Sequence, residues 1–347
     1  METRRQIEVT TDKPLHVVGL DTVRAFAALS VMFAHILGPG LPDIFTMLGF
    51  NNAIAGLSKY LFTGHPAVIV FFVVSGFCIH YPYTRRQLPV LAFTLARWTR
   101  IMIPALIAML FAQLLGMHKY NFIDGFILWS IVCELWYYSL YPLLLVLSRK
   151  VSFENQFIVA FAISLIIVIY LGSDQYGNAK NYGVGLNWFV ALPSWLLGCV
   201  LANRVAQQSN RMPVNIRQIV MWRASVAVVA SILYWLTLNT FIGYYLTMNF
   251  FAVLVVFWIN AEIRAKKDKT SLFEKIGKWS YSIYLFHIII FSSLGLLFAA
   301  ASPFGRLLTL PLALIGCYVA YKLFEEKSHQ LARYIFKKID SKSGWNI

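Results

Sequence analysis

The chain has 347 residues, 59% of them hydrophobic and only 13% charged, with a mean hydropathy of +0.65. A soluble domain of that length needs far more charge to keep its surface wet, so the composition excludes one. Thirty Lys and Arg against 15 Asp and Glu give a net charge of +15, yet no basic motif points to nucleic acid, and topology signals beside anionic headgroups explain the excess.

Apolar runs of membrane-crossing length, roughly 17–25 residues, recur from end to end. Ten spans are predicted, at roughly 20–38, 61–81, 99–117, 126–147, 156–172, 184–203, 218–236, 241–260, 279–300 and 306–324. Arg4, Arg5 and Lys13 precede the first; Arg85, Arg86, Arg97 and Arg100 follow the second; Arg149 and Lys150 follow the fourth. Arg204, Arg211, Arg217 and Arg223 flank the sixth-to-seventh connection, and EIRAKKDK follows the eighth. The alternate connections are poor in basic residues: 39–60 carries only Lys59 and 237–241 none. By the positive-inside rule both termini are cytoplasmic. The first run is followed by GPGLPDIF rather than a small-residue cleavage pattern, so it is expected to stay as an anchor.

The expected fold is therefore all-α, a polytopic membrane protein of about ten transmembrane helices in one bundle. Its expected organisation is a cytoplasmic segment 1–19, a membrane domain 20–324 and a basic amphipathic cytoplasmic tail 325–347 suited to the inner leaflet. No attached soluble domain is expected. No strong internal repeat is visible, which weighs against a repeat-built transporter. Cys78, Cys133, Cys199 and Cys317 all fall in apolar runs without metal-site spacing, so they read as small buried fillers, with no metal site and no disulfide framework.

Ionisable groups inside a span are expensive and mark function unless they pair or sit at an edge. The first span, LDTVRAFAALSVMFAHILGPG, carries Asp21, Arg24 and His35. Eleven residues advance a helix by about 1,100° and roughly 16 Å, so Arg24 and His35 share one face at two depths. That suggests a polar path into the bundle; a snorkelling arginine and a satisfied core histidine are the plain alternatives. In FFVVSGFCIHYPYTRR, Ser75 and Gly76 permit either close helix packing or approach of a ligand to the backbone. Arg97 and Arg100, three apart at the cytoplasmic mouth of the third span, could hold phosphates or serve only as topology signals. Glu134, within WSIVCELWYYSLYP, is the one acid near the centre of a span, and it must be protonated, paired with a cation or facing water. Finally, GKWSYSIYLFH places Ser280, Tyr281, Ser282 and Tyr284 ahead of a second intramembrane histidine, His287, which lies about two turns further in.

Taken in order along most of the chain, these segments resemble the acyltransferase 3 family, integral-membrane acyltransferases that decorate bacterial surface glycans and related acceptors. The matching elements are LDTVRAFAALSVMFAH, with ten residues between Arg24 and His35; FFVVSGFCI; Arg97 and Arg100 with Pro104; WSIVCELWYYSLYP; and GKWSYSIYLFH. The resemblance implies a ten-helix core using cytoplasmic acyl-CoA, usually acetyl-CoA, as donor substrate, with no permanently bound cofactor. It implies His35 as the catalytic residue and Arg24 as its partner, and functional importance for Arg97, Arg100 and Glu134. It also implies a bacterial inner-membrane location. Thr22 departs from the family's usual Gly, the stretch from Arg100 to Trp129 is short, and the extra soluble domain of some members is not expected here.

The expected reaction is transfer of an acyl group, acetyl by default, to a hydroxyl of a glycan or lipid-linked sugar. Arg97 and Arg100 would hold the nucleotide phosphates, and the pantetheine arm would pass Arg24 with Ser75, Ser280 and Tyr281 as polar wall. His35 would act on the thioester as general base or as nucleophile, with Glu134 orienting it or receiving its proton. A proton-coupled exporter of a glycan or lipid-linked intermediate is the rival reading, because an acid and histidines can also form a proton relay. A non-catalytic assembly partner is the third.

Overall fold

A chain that crosses lipid must hydrogen-bond its own backbone, and helices do this within one segment. The structure, a computed structural model, describes residues 17–118, 120, 128–172, 183–207, 212–240, 242–265, 271–298 and 302–341. Arg4, Arg5, Lys13, Arg211, Lys266, Lys267 and Lys269, the first residues of the fourth predicted span and the end of the tail lie outside these.

Helix α1 (Leu20–Ile36) breaks at a Gly-Pro-Gly turn and bends by 47° into the short α2 (Leu41–Met47); α3 (Asn52–Ser58) follows. Then come α4 (Gly64–His80), α5 (Val90–Leu114), α6 (Trp129–Leu147), α7 (Phe153–Leu171), α8 (Gly183–Gln207), α9 (Ile216–Asn239) and α10 (Tyr244–Arg264). The last helices are α11 (Leu272–Gly277), α12 (Ser280–Phe298), α13 (Pro303–Ala320) and α14 (Glu326–Asp340), with a π-helical turn, Tyr321–Glu325, joining the final two. No strand occurs among the described residues. The protein is an all-α, multi-pass membrane protein.

Each of the ten predicted spans coincides with a helix: α1, α4 to α10, α12 and α13. Among the described residues eight helices are long and apolar enough to cross alone, and α1 with its bent continuation makes nine; the apolar part of α12, residues 280–295, is shorter. Two boundaries differ from expectation. Helix α5 begins at Val90 behind Pro89, nine residues ahead of the predicted start, because VLAFTLARWTR holds no breaker although its arginines depress the local hydropathy. Arg97 and Arg100 thus lie within a helix and not at its mouth. The expected tail continues α13 through the π turn, so residues 305–340 form one helical rod, and α14 packs on α5.

The bundle is centred on α4 and α8. Their apolar stretches are 67% and 78% buried inside the protein, against 22% for α7 and 17% for α9, which face lipid. The central crossing is close because two glycines meet there. A Cβ on Gly76 would fall 2.0 Å from the Trp195 carbonyl oxygen, and one on Gly198 would fall 2.1 Å from that of Val73. Small residues at a helix crossing let dispersion contacts hold the pair where lipid supplies no hydrophobic drive. Polar side chains bridge the surrounding helices: Asn249 on α10 donates to Ser164 of α7 at 3.1 Å and accepts from Ser194 of α8 at 2.7 Å.

Helix α1, which carries the candidate residues, is fixed at its basic end from outside itself. One carboxylate oxygen of Glu274, on α11, accepts from the Gly19 and Thr22 amides at 3.0 and 3.1 Å and from the Thr22 hydroxyl at 2.5 Å. The two amides are among the donors a helix N-terminus leaves unpaired. Threonine at 22 therefore serves the cap.

Candidate functional site

The side chains of α1, α4, α5, α6, α12 and the π turn with α14 enclose one cavity on the basic side of the bundle. It gathers Arg24, Ser75, Arg97, Arg100, Glu134, Ser280 and Tyr281, which is every candidate site residue except His35. They come from five helices far apart in sequence.

Arg24 sends one terminal nitrogen toward Asp21 at 3.4 Å and the other toward the Cys78 sulfur at 3.5 Å. Asp21 is thus a neighbour within the same helix, at i,i+3, and Arg24 still borders the cavity. Ser75 and Gly76 divide the two readings of their motif. Gly76 meets α8, while the Ser75 hydroxyl faces the cavity, 3.2 Å from the Tyr138 hydroxyl and accepting from the Trp195 indole at 3.3 Å. Glu134 lines the cavity beside Ser75 and Tyr138 and lies in the field of Arg24 and Arg100. Its carboxylate therefore balances cationic charge in the cavity. The expected pairing of Glu134 with His35 is absent from this geometry, because α6 turns Glu134 toward the basic-side cluster. Tyr281 donates to the Ile101 carbonyl at 2.9 Å, tying α12 to α5. Arg97 lies over the Phe93 ring at 5.7 Å, and Arg100 donates through Nε to His329 Nε2 at 2.9 Å.

His35 sits deeper, beside His287. Its Nδ1 is 3.0 Å from His287 Nε2, and the two rings meet edge to edge, centroids 5.2 Å apart and planes 27° from parallel. His287 Nδ1 lies 2.7 Å from the Ile283 carbonyl oxygen. A carbonyl only accepts, so the proton of neutral His287 is on Nδ1 and its Nε2 is a lone pair. That lone pair accepts from Nδ1 of His35, which leaves Nε2 of neutral His35 as an unprotonated base. Across from this ring edge is Gly64, where a Cβ would come within 3.8 Å of His35 Cε1. Its absence leaves room beside the imidazole.

The cavity stops just below this pair. Its inner wall includes Val68, Ser130 and Tyr284, with Ser130 and Tyr284 hydroxyls 2.8 Å apart. Tyr284 precedes His287 by three residues on α12, and Val68 follows Gly64 by four on α4. The cavity floor is therefore about 5 Å, one helical turn, from the histidines. Tyr120, buried, donates to the Leu285 carbonyl of α12 at this level.

Several residues here were not among the sequence candidates. Tyr138, Tyr284 and His287 stand inside those motifs, where Tyr138 reads as cavity wall or aromatic belt, Tyr284 as helix–helix glue and His287 as part of the rival proton relay, but none is a candidate site residue. Glu325 and His329 lay in the expected tail, and both line the cavity. The run VAYKLFEEKSHQLARYIF contains neither Gly nor Pro, which signals an unbroken helix placing 325 and 329 on one face. Among the described residues no three His, Cys, Asp or Glu side chains form a group able to hold a metal ion. All four cysteines are free thiols.

A family model described as an acyltransferase domain matches residues 17–322, from the start of α1 into the π turn. Comparisons with curated proteins and with solved structures gave no match. With most of its length covered by that model and its polar residues gathered around one membrane cavity, the chain belongs to the acyltransferase 3 family and is a membrane acyltransferase.

Proposed function

We propose that this acyltransferase takes its acyl group, most simply acetyl, from acyl-CoA on the cytoplasmic side and esterifies a hydroxyl of a glycan or lipid-linked sugar, at the bacterial inner membrane. The observation that carries this reading is the cation-bearing cavity on the basic side, closing one turn short of a histidine whose Nδ1 is engaged by His287.

Arg97 and Arg100 receive the donor's phosphates through charge-assisted hydrogen bonds. The pantetheine chain extends past Arg24 between Ser75, Ser280 and Tyr281, so the thioester arrives near Tyr284. The inner wall must yield by about a turn for the thioester to meet His35. As the acceptor oxygen attacks the thioester carbonyl, Nε2 of His35 takes the hydroxyl proton. The new C–O bond forms, the C–S bond breaks, and the imidazolium returns its proton to the departing thiolate. His287 keeps His35 in the required tautomer throughout. Glu134 balances the arginines and takes no proton in this scheme.

The test uses membranes carrying the wild-type protein or His35→Ala, supplied with labelled acetyl-CoA and an extract of surface glycans and lipid-linked sugars. Label entering a base-labile ester only with wild-type protein is the expected result. Equal labelling by both proteins would remove His35 from the chemistry, and transport of a glycan without acyl-CoA would favour an exporter instead.

A further inference from the structure

The matched domain ends at residue 322, but the cavity wall does not. The π turn Tyr321–Glu325 adds a residue to the helical repeat at this point, and such turns re-aim the side chains that follow. Glu325, Ser328 and His329 then occupy i, i+3 and i+4 positions on the inner face of the rod. Each makes a polar contact with the bundle. Glu325 accepts from the Ser282 amide at 2.9 Å and from its hydroxyl at 2.5 Å. The Ser328 hydroxyl lies 3.0 Å from the Arg100 carbonyl oxygen and 3.2 Å from that of Thr99. His329 Nε2 accepts the Nε–H of Arg100 at 2.9 Å. Glu325 and Ser328 thus fix α14 against α12 and α5, and His329 contacts a candidate phosphate ligand directly.

The geometry of the last contact matters. A guanidinium held through Nε presents its two terminal amino groups together on the opposite edge, the fork that matches a phosphate. The acceptor must be a neutral imidazole with its lone pair on Nε2 and its proton on Nδ1. The outer face of α14 has a separate task, because Leu331 and Tyr334 are exposed and available to lipid.

We propose that His329 is a positioning residue of the donor site: the helix beyond the family domain aims Arg100 at the phosphates of the donor. The proposal rests on the reading of Arg97 and Arg100 as phosphate ligands. It makes the C-terminal helix a component of the active site.

The test measures coenzyme A binding, and the KM for acetyl-CoA and kcat, with full-length protein in nanodiscs. A glutamine carbonyl or amide falls near the Nε2 position of histidine, and an asparagine near Nδ1. His329→Ala and His329→Asn are therefore expected to raise the Kd and KM about tenfold, with kcat at saturation within twofold. His329→Gln should restore both to within about threefold of wild type. In an Arg100→Ala background, His329→Asn should add nothing, because its effect passes through Arg100. If His329→Ala does not assemble, the contrast between Asn and Gln carries the same decision. Wild-type binding by His329→Asn, alongside loss of binding by Arg100→Ala, would overturn the role of His329 and leave the phosphate reading standing. Wild-type binding by Arg100→Ala would overturn both.

Discussion

At the scale of single residues, the chemistry turns on which nitrogen of His35 is a base. Three coupled acceptors and donors decide it: the Ile283 carbonyl, His287 and His35 itself. Replacing His287 by Ala frees His35 to adopt the other tautomer, and kcat should fall at least about tenfold with the KM for donor unchanged. His287→Gln, which keeps an acceptor near the Nε2 position, should recover part of the loss; steady-state kinetics at saturating acetyl-CoA read both. Glu134 gives the opposite expectation. Its partners are Ser75, Tyr138 and two arginines, so Glu134→Gln should retain transfer to within about tenfold of wild type, far above His35→Ala. The same variant leaves Arg24 and Arg100 short of a counter-charge, so its melting temperature should drop in the free protein and recover more than that of wild type when coenzyme A is added. Collapse of transfer to the level of His35→Ala would return Glu134 to the proton path.

At the scale of elements, the site depends on how tightly α4 lies on α8. Ser75 reaches the cavity because its neighbour Gly76 lets the backbones touch. Gly76→Ala puts a methyl 2.0 Å from a carbonyl oxygen on a helix with no room to retreat, and should cost at least about 3 kcal/mol and most of the folded yield. Gly56→Ala is the control: nothing lies within 4 Å of its Cβ inside α3, so stability on thermal unfolding should hold or rise slightly, alanine being the better helix former. Glycine at 76 was visible in the sequence, and both readings of it were open, since periodicity gives the face of a residue and not the identity of what it meets. The same holds for the ten spans. Their existence followed from hydropathy, because lipid enforces it. The start of α5 did not, because arginines that find partners inside the protein look like a helix end to any hydropathy window. The role of His287 was likewise hidden, since the partner of a buried histidine is chosen by a helix 252 residues away in sequence.

For the whole molecule, the decisive property is asymmetry across the membrane. Charge alternates between connections, and the cavity with Arg24, Arg97 and Arg100 opens on the basic side, while α2 and α3 cover the other with Met47, Leu48 and Leu57 exposed. A phosphate-bearing donor cannot cross 30 Å of hydrocarbon unaided, so the side from which it is accepted follows from the side on which the arginines stand. If the basic side is cytoplasmic, acetyl-CoA added to inverted vesicles reaches the cavity, and acetyl-CoA added to sealed right-side-out vesicles does not. Transfer should then be confined to the inverted preparation, appearing in the other only when the membrane is permeabilised. Equal activity in both sealed preparations would place a donor path on the face with α2 and α3, where no cluster of arginines is described. The cavity would then lose its claim to the donor, since its cations would stand on the wrong side of the barrier. Confinement to inverted vesicles would instead make His35 the meeting point of two compartments: it lies one turn beyond the floor of the basic-side cavity, near the outer start of α4, where an acceptor from the opposite face has the shorter approach.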